Sequence, residues 1–220
     1  MRLSKVAYIP CLLVLLSLNL CTKESNAQYY SSDPTFFGGF VVGLNMAQVD
    51  GDNLAGFRCL GLTTGGVIHS EIADNLTLSM GILYSEKGSK AGPNEVPKWV
   101  NQNSFRIDSH DIRIQCAEIP ILLNYWIDKK IHAGGGFAVA RLVNAKEFLN
   151  GIEQQELFPF KKYDFSLVLD GNYRITKGLF FNLRYQFSLL NIRKQNNPNA
   201  GRPEQFNRLV SFRLKYLFGK

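Results

Sequence analysis

Seven charged residues of this chain lie in predicted strands, at positions where they could meet inside a folded domain. They are Glu118, Asp164, Asp170, Arg174, Arg184, Arg213 and Lys215. An isolated charge in a narrow interior is costly, so we expect these side chains to pair across strands. The expected central pair joins Arg184 to Glu118 or Asp170. Such a set could form a charged plug, which we favour, or a path for ions or protons.

Other reactive residue types do not form a recognisable site in the sequence. The run Ser109-His110-Asp111 has the letters of a catalytic triad, but adjacent residues cannot converge as a triad must. We expect His110 in a loop, and His69 and His132 solvated at a rim. The sequence shows no glycine-rich phosphate loop and no metal-ligand spacing. The chain is therefore predicted not to be an enzyme and to need no cofactor.

Strands must position the charged residues, because their surroundings alternate with a period of two. From Leu179 to Leu189, apolar residues alternate with a second set that includes Asn182, Arg184 and Gln186. Strict alternation predicts a strand with two unlike faces. The eight predicted strands cover residues 36–48, 59–70, 76–85, 111–127, 131–144, 164–174, 179–189 and 209–218. Pro120 removes a ladder donor, so we expect a bulge near it.

The connections between these strands differ in length. Three short turns each begin with isoleucine, at Ile72–Asn75, Ile127–Lys130 and Ile175–Gly178. The long segments are residues 49–58, 87–110, 145–161 and 193–207. Outer-membrane barrels have short periplasmic turns, long extracellular loops and an even number of strands. The pattern therefore predicts an all-β fold: an eight-stranded antiparallel up-and-down transmembrane β-barrel.

Alternation alone does not say which face is buried. A soluble, lipocalin-like periplasmic barrel that binds an apolar ligand would place its apolar face inside. The polar face here is rich in Ser, Thr, Asn, Gln and Gly, which suits a crowded interior. Aromatic residues also collect near both strand ends, as in a membrane girdle. The predicted girdles contain Phe36, Phe37, Tyr125, Trp126, Tyr173, Phe180, Phe181 and Tyr216 at one rim and Tyr84, Tyr163, Phe165 and Phe187 at the other.

The N-terminus has the pattern of a secretory signal peptide. A basic start and a short apolar run end at Ser25-Asn26-Ala27, so residues 1–27 are predicted to be cleaved and residues 28–220 to form the barrel domain. Lipid attachment at Cys21 is the less favoured alternative, since Leu20 is large. The formal charge is +7 without a Lys/Arg cluster, so no nucleic-acid partner is expected. Cys59 and Cys116 could pair or remain isolated thiols.

Several short runs resemble the PorT-like outer-membrane β-barrels of the Bacteroidota. They are Gly43-Leu44-Asn45 with Asp50-Gly51-Asp52, Leu83-Tyr84-Ser85-Glu86-Lys87-Gly88, Ala117-Glu118-Ile119-Pro120-Ile121-Leu122-Leu123, Asp164-Phe165 to Gly171-Tyr173, and Leu183-Arg184-Tyr185. The resemblance covers nearly the whole predicted barrel domain and implies its fold and an outer-membrane location. It implies little about activity, although the family's namesake is similar to an accessory part of a secretion system.

The expected function is a structural or interaction role without catalysis, exerted through the extracellular loops. Trp99 and Phe105, in the longest predicted loop, are the candidate contacts. The expected partners are outer-membrane lipid and an envelope or secretion-system protein. The alternatives are a small-solute channel, the soluble ligand binder and, least supported, a lipid-modifying barrel enzyme.

Overall fold

The computed structural model describes five segments of the chain, and these consist of strands with their connecting turns. The described residues are 36–52, 56–91, 110–153, 159–194 and 204–219. The predicted signal peptide and the loop residues Trp99 and Phe105 lie outside them. Among the described residues, no helix is long and apolar enough to cross a membrane.

Nine strands form one antiparallel sheet that closes on itself. They are β1 (Phe36–Asp50), β2 (Cys59–Ala73), β3 (Leu76–Lys90), β4 (His110–Trp126), β5 (Ile131–Leu149), β6 (Ile152–Glu153), β7 (Tyr163–Arg174), β8 (Leu179–Ser188) and β9 (Phe206–Leu217). The order is β4-β3-β2-β1-β9-β8-β7-β5, and the β4–β5 pairing closes the ring, while β6 pairs only with β5. Eight strands therefore make the wall, which confirms the predicted barrel.

The three isoleucine-led turns lie at one end of the barrel and are built alike. The fourth residue of each turn accepts a backbone hydrogen bond from the next strand of the ring. Trp126 N donates to Asn75 O at 2.9 Å, Arg174 N to Lys130 O at 2.7 Å, and Leu217 N to Gly178 O at 2.8 Å. These bonds satisfy backbone groups that a strand end would otherwise leave unpaired. The repeated sequence pattern of the three turns therefore corresponds to one hydrogen bond that is repeated at this end of the barrel.

The two faces of the wall show which side is buried. Outward positions are apolar and exposed, including Leu62, Ile121, Leu169 and Leu183, while the alternate positions are buried and mostly polar. This polarity is the reverse of a soluble protein's and suits a wall surrounded by lipid. It argues against the soluble, lipocalin-like alternative, which needs an apolar interior.

Several strands extend further towards the long-loop end than predicted. β3 continues to Lys90 and β5 to Leu149, and β9 begins at Phe206, all within segments predicted as loops. The alternation persists there, since Ser85, Lys87 and Ser89 are all buried. His110 is the buried first residue of β4, so its placement in a loop was wrong. The Gly and Pro content of residues 87–110 concealed both strand ends.

The bulge lies further along β4 than expected. The β4–β5 register shifts between Gln115, opposite Asn144, and Cys116, opposite Leu142. Around Pro120 the β3–β4 register is the same on both sides, although Gly81 and Ile82 have no assigned partner residues there. The missing proline donor interrupts the ladder without adding a residue, so the predicted bulge near Pro120 was wrong.

Two adjacent glycines of β2 give a test of this wall. A Cβ on Gly65 would lie 2.1 Å from the carbonyl oxygen of Ile82, whereas the nearest atom to a Cβ on Gly66 is 4.0 Å away. We expect Gly65→Ala to lower the free energy of unfolding by about 1–3 kcal/mol, as overpacking does. Gly66→Ala should change it by less than about 0.5 kcal/mol. Urea unfolding of the refolded variants measures both, and equal effects would contradict the assigned faces.

Candidate functional site

The interior is crossed by a network of charged side chains, and its centre joins strands β7, β8 and β9. Asp170 and Arg184 lie opposite each other in the β7–β8 ladder. Arg184 Nε is 2.7 Å from Asp170 Oδ1, and Nη2 is 3.1 Å from Oδ2, which is a bidentate pair. Arg213 Nη2 lies 3.3 Å from Asp170 Oδ1, while Arg213 Nε donates to Asn182 Oδ1 at 2.7 Å. Two arginines therefore share one buried carboxylate.

Glu118 extends the network across the barrel to β3 and β4. Its Oε1 is 3.7 Å from Arg184 Nη1, and its Oε2 accepts a 3.1 Å hydrogen bond from Gln186 Nε2. Lys87 Nζ lies 3.0 Å from Glu118 Oε2 and 3.7 Å from Asp164 Oδ2. The contacts thus tie opposite walls of the barrel together.

The charges along this network alternate and balance. In order they are Arg213, Asp170, Arg184, Glu118, Lys87 and Asp164. Their side chains are at most 10% exposed. Buried charges are tolerable when each has an opposite charge and hydrogen bonds. Each of the six groups therefore has a group of opposite charge in contact with it in the interior.

Lys87 is the member of the network that sequence reasoning missed. It was assigned to a loop, yet it connects the two carboxylates Glu118 and Asp164. The signal that could have found it is the alternation of Ser85, Lys87 and Ser89, which continues the inward face of β3.

Two of the predicted charges, Arg174 and Lys215, lie nearer the turn end and contact aromatic rings. The Arg174 guanidinium is 4.8 Å from the Trp126 ring centroid and 5.5 Å from that of Phe180. Lys215 Nζ is 5.8 Å from the Phe180 centroid. Cation–π attraction therefore adds to their stabilisation there.

Some predictions about the turn end were wrong. Trp126 and Phe180 were expected in the lipid-facing girdle, but they occupy inward positions of their strands. The His132 ring contacts both, with its centroid 4.3 Å from that of Trp126 in a tilted arrangement and 5.5 Å from that of Phe180 in an edge-on arrangement. His132 and His69 are buried rather than solvated. The alternation of inward and outward side chains continues to the ends of the strands. An aromatic residue at an inward position therefore points into the barrel even at the rim.

An apolar layer fills the interior towards the long-loop end. It is formed by Val49, Ile112, Ile114, Cys116, Ala140, Phe160 and Ile192. Arg193 packs against this layer: it is buried, and its guanidinium carbon is 3.8 Å from the Phe160 ring centroid. Arg193 Nε donates to Gln205 Oε1 at 2.8 Å. Residues outside the wall strands therefore cover this part of the interior.

Glu147 joins that cover to β4. Its Oε1 lies 2.8 Å from His110 Nε2, and its Oε2 is 3.4 Å from Arg193 Nη2. Glu147 lies beyond Arg141, the last residue of β5 paired with β7, and so outside the membrane-spanning segment. Burial raises the pKa of Glu147, but the His110 hydrogen bond and the Arg193 charge together hold it below its ordinary value.

A carboxyl group whose folded pKa is lowered binds fewer protons in the folded state than in the unfolded state. Its stabilisation is therefore present above the unfolded pKa and lost as the pH falls through the folded pKa. We expect the wild type to lose stability between about pH 5 and pH 3, and Glu147→Gln to lose less over that range. Urea midpoints at both pH values measure this. Glu153→Gln, which removes an exposed pair with Lys146, is the control. An acid response of Glu147→Gln equal to the wild type's would contradict the assignment.

Both cysteines of the barrel are buried and free. The Cys59 thiol donates to the Ile112 carbonyl at 3.9 Å, and Cys116 lies in the apolar layer. The two residues act as packing groups, so the possible disulfide between them is absent.

Two cavities lined by interior residues are small. One cavity of about 20 Å³ is lined partly by Asp170, Arg184 and Lys215, and another of about 10 Å³ lies beside Phe160. A water molecule needs roughly 10–15 Å³ measured in this way. Within the described segments, no group of His, Cys, Asp and Glu could hold a metal ion. Side chains therefore leave little space in the interior around Asp170 and Phe160.

Comparison with known proteins agrees with the predicted location. The model of a family described as "outer membrane protein beta-barrel domain" matches residues 26–194. Among solved structures, the chain is similar to Ail, the attachment invasion locus protein of Yersinia pestis, with 12% identity, a TM-score of 0.47, and 83% of this chain and 98% of that chain covered. Neisserial surface protein A has 10% identity and a TM-score of 0.47, with 82% of this chain and 96% of that chain covered. OprG of Pseudomonas aeruginosa has 12% identity and a TM-score of 0.37, with 82% of this chain and 94% of that chain covered. No curated protein matches the chain.

Proposed function

Because this chain belongs to the outer-membrane β-barrel domain family, we propose that it is a sealed, non-enzymatic barrel with a structural or interaction role. It lies in the outer membrane, as predicted. The partner contacts that we propose lie at the long-loop end, where β3 ends at Lys90 and β4 begins at His110. Trp99 and Phe105, between these two residues in the sequence, are the proposed contacts. The PorT-like resemblance supports an accessory role in secretion or envelope assembly, with an envelope protein as the partner.

The observation that carries this proposal is the balanced charge network. An eight-stranded barrel has an interior just wide enough for side chains to fill. Here Arg184, Glu118 and Lys87 span that interior from wall to wall. A solute would have to break several buried ion pairs to pass, so transport is the less favoured alternative. A barrel closed in this way acts through the surfaces at its ends.

Site-specific cross-linking in cells tests the interaction role. A photoreactive amino acid is placed at Ile152, on the exposed β5–β6 hairpin, and as a control at Lys129, in a short turn. We expect a discrete protein adduct from Ile152 and none from Lys129. No adduct from Ile152, together with a solute-uptake defect in a deletion strain, would instead support the channel.

A further inference from the structure

Near the long-loop end, the backbone pairing between β2 and β3 stops before the two strands end. Partner residues in the β2–β3 ladder stop at Thr63 and Ser85, although β2 continues to Cys59 and β3 to Lys90. From that point towards the long-loop end, β2 remains paired with β1, and β3 remains paired with β4. The cleft between the two pairs encloses about 320 Å³.

Cations predominate in the lining of this cleft. Arg58, Lys90 and Arg113 line it together with two acids, Glu86 and Asp111. A fourth lining cation, Lys87, is buried and already paired with Glu118 and Asp164, so it adds no charge to the surface. Glu86 is already engaged, since its Oε2 accepts from the Leu62 backbone N–H at 2.9 Å and its Oε1 from the Tyr84 hydroxyl at 2.8 Å. Arg113 lies 3.0 Å from Asp111 Oδ2 and is itself largely exposed. The cleft therefore presents a net positive charge to the surface.

An apolar groove lies on the same side of the barrel, closer to the short-turn end than the cleft. It encloses about 430 Å³ and is lined by residues of β1 to β4, among them Gly38, Gly66, Met80 and Ile82. A Cβ on Gly38 would have no neighbour within 4 Å, so the absence of side chains makes the groove. Ile82 precedes Glu86 by four residues in β3, so the two are separated by about 13 Å along the strand. Exposed Leu62 and Ile82 line the wall between cleft and groove.

We propose that this wall holds one anionic lipid of the outer leaflet. Its phosphate occupies the cleft beside Arg58, Lys90 and Arg113, and its hydrocarbon chain lies over Leu62 and Ile82 into the glycine groove. Opposite charge selects the headgroup, since basic residues near a membrane surface attract anionic lipids. Tyr84, between the two parts, is the residue type that favours the interface. The site depends on the outer-membrane location and not on the sealed interior.

Native mass spectrometry of the purified full-length barrel tests the site. Protein in zwitterionic phosphatidylcholine is titrated with long-chain phosphatidylglycerol, and the retained lipid is counted. We expect Arg58→Gln with Lys90→Gln to weaken retention about 10- to 30-fold, since each charge contributes about 1 kcal/mol. The control, Lys161→Gln with Lys162→Gln, removes two exposed charges before β7, across the ring. It should change retention by less than about twofold. Equal losses in both variants would overturn the proposal.

Two further measurements test whether the lipid's hydrocarbon chain contributes to binding and whether the bound phosphate belongs to a lipid. Gly38→Leu with Gly66→Leu fills the groove and should weaken long-chain but not short-chain phosphatidylglycerol. Inorganic phosphate should displace the long-chain lipid only weakly. Displacement by phosphate as effective as that by lipid would show an anion site without a lipid chain. Heat-modifiable migration on detergent gels confirms that each variant is folded.

Discussion

Replacing Arg184 with methionine should destabilise the barrel by about 3–5 kcal/mol, because the change leaves buried carboxylates without their main cation. Arg184 makes two hydrogen bonds to Asp170 and faces Glu118 at 3.7 Å. With methionine, Asp170 loses its bidentate partner and keeps the 3.3 Å contact with Arg213, and the network gains one uncompensated negative charge. Urea unfolding in detergent or lipid measures the loss.

The matched control is Arg208→Met. Arg208 also pairs with an aspartate, at 2.8 Å from Asp50, but its side chain is 46% exposed. Exposed pairs contribute about 1 kcal/mol or less. Combining Arg184→Met with Asp170→Asn should recover part of the stability, because it restores the charge balance. Equal effects of Arg184→Met and Arg208→Met would show that the interior is wet and the network weak.

A positive charge on the lipid face should have the second largest effect. Leu183 is 44% exposed near the middle of β8, and Leu189 is similarly exposed just beyond its end. We expect Leu183→Arg to cost about 2–4 kcal/mol and Leu189→Arg about 0–1 kcal/mol, since the cost of arginine depends on its depth in the bilayer. Unfolding of variants refolded into lipid vesicles measures both. Equal costs, or a larger cost at Leu189, would contradict the position of the membrane.

Much of the fold could be predicted because local chemistry determines it. The isoleucine-led turns gave three hairpins, and strict alternation in β7, β8 and β9 gave their inward residues. Arg184 lies on the polar face of its predicted strand, and it was predicted to form the central pair with Glu118 or Asp170. The signal peptide and the loop contacts Trp99 and Phe105 stay predictions, since they lie outside the described residues.

The parts that could not be predicted depend on ring closure and strand length. Glu118 and Arg184 are brought close by the registers around the whole ring, which no single strand encodes. Lys87 was missed because Gly88 and the following polar residues resemble a loop, although β3 continues through them. His110 and Glu147 come together because β4 and β5 stay paired up to His110 and Leu149, beyond Arg141, where the pairing of β5 with β7 ends.

The proposed closure of the interior by its own side chains can be measured. Single-channel conductance in planar bilayers tests it most directly. A variant with Lys87, Glu118 and Arg184 all changed to alanine serves as the opened control, and its current steps show that the assay detects an emptied interior. The wild-type barrel should insert without current steps over the same voltage range. Reproducible wild-type steps, similar in size to those of the opened variant, would contradict the account and establish a channel.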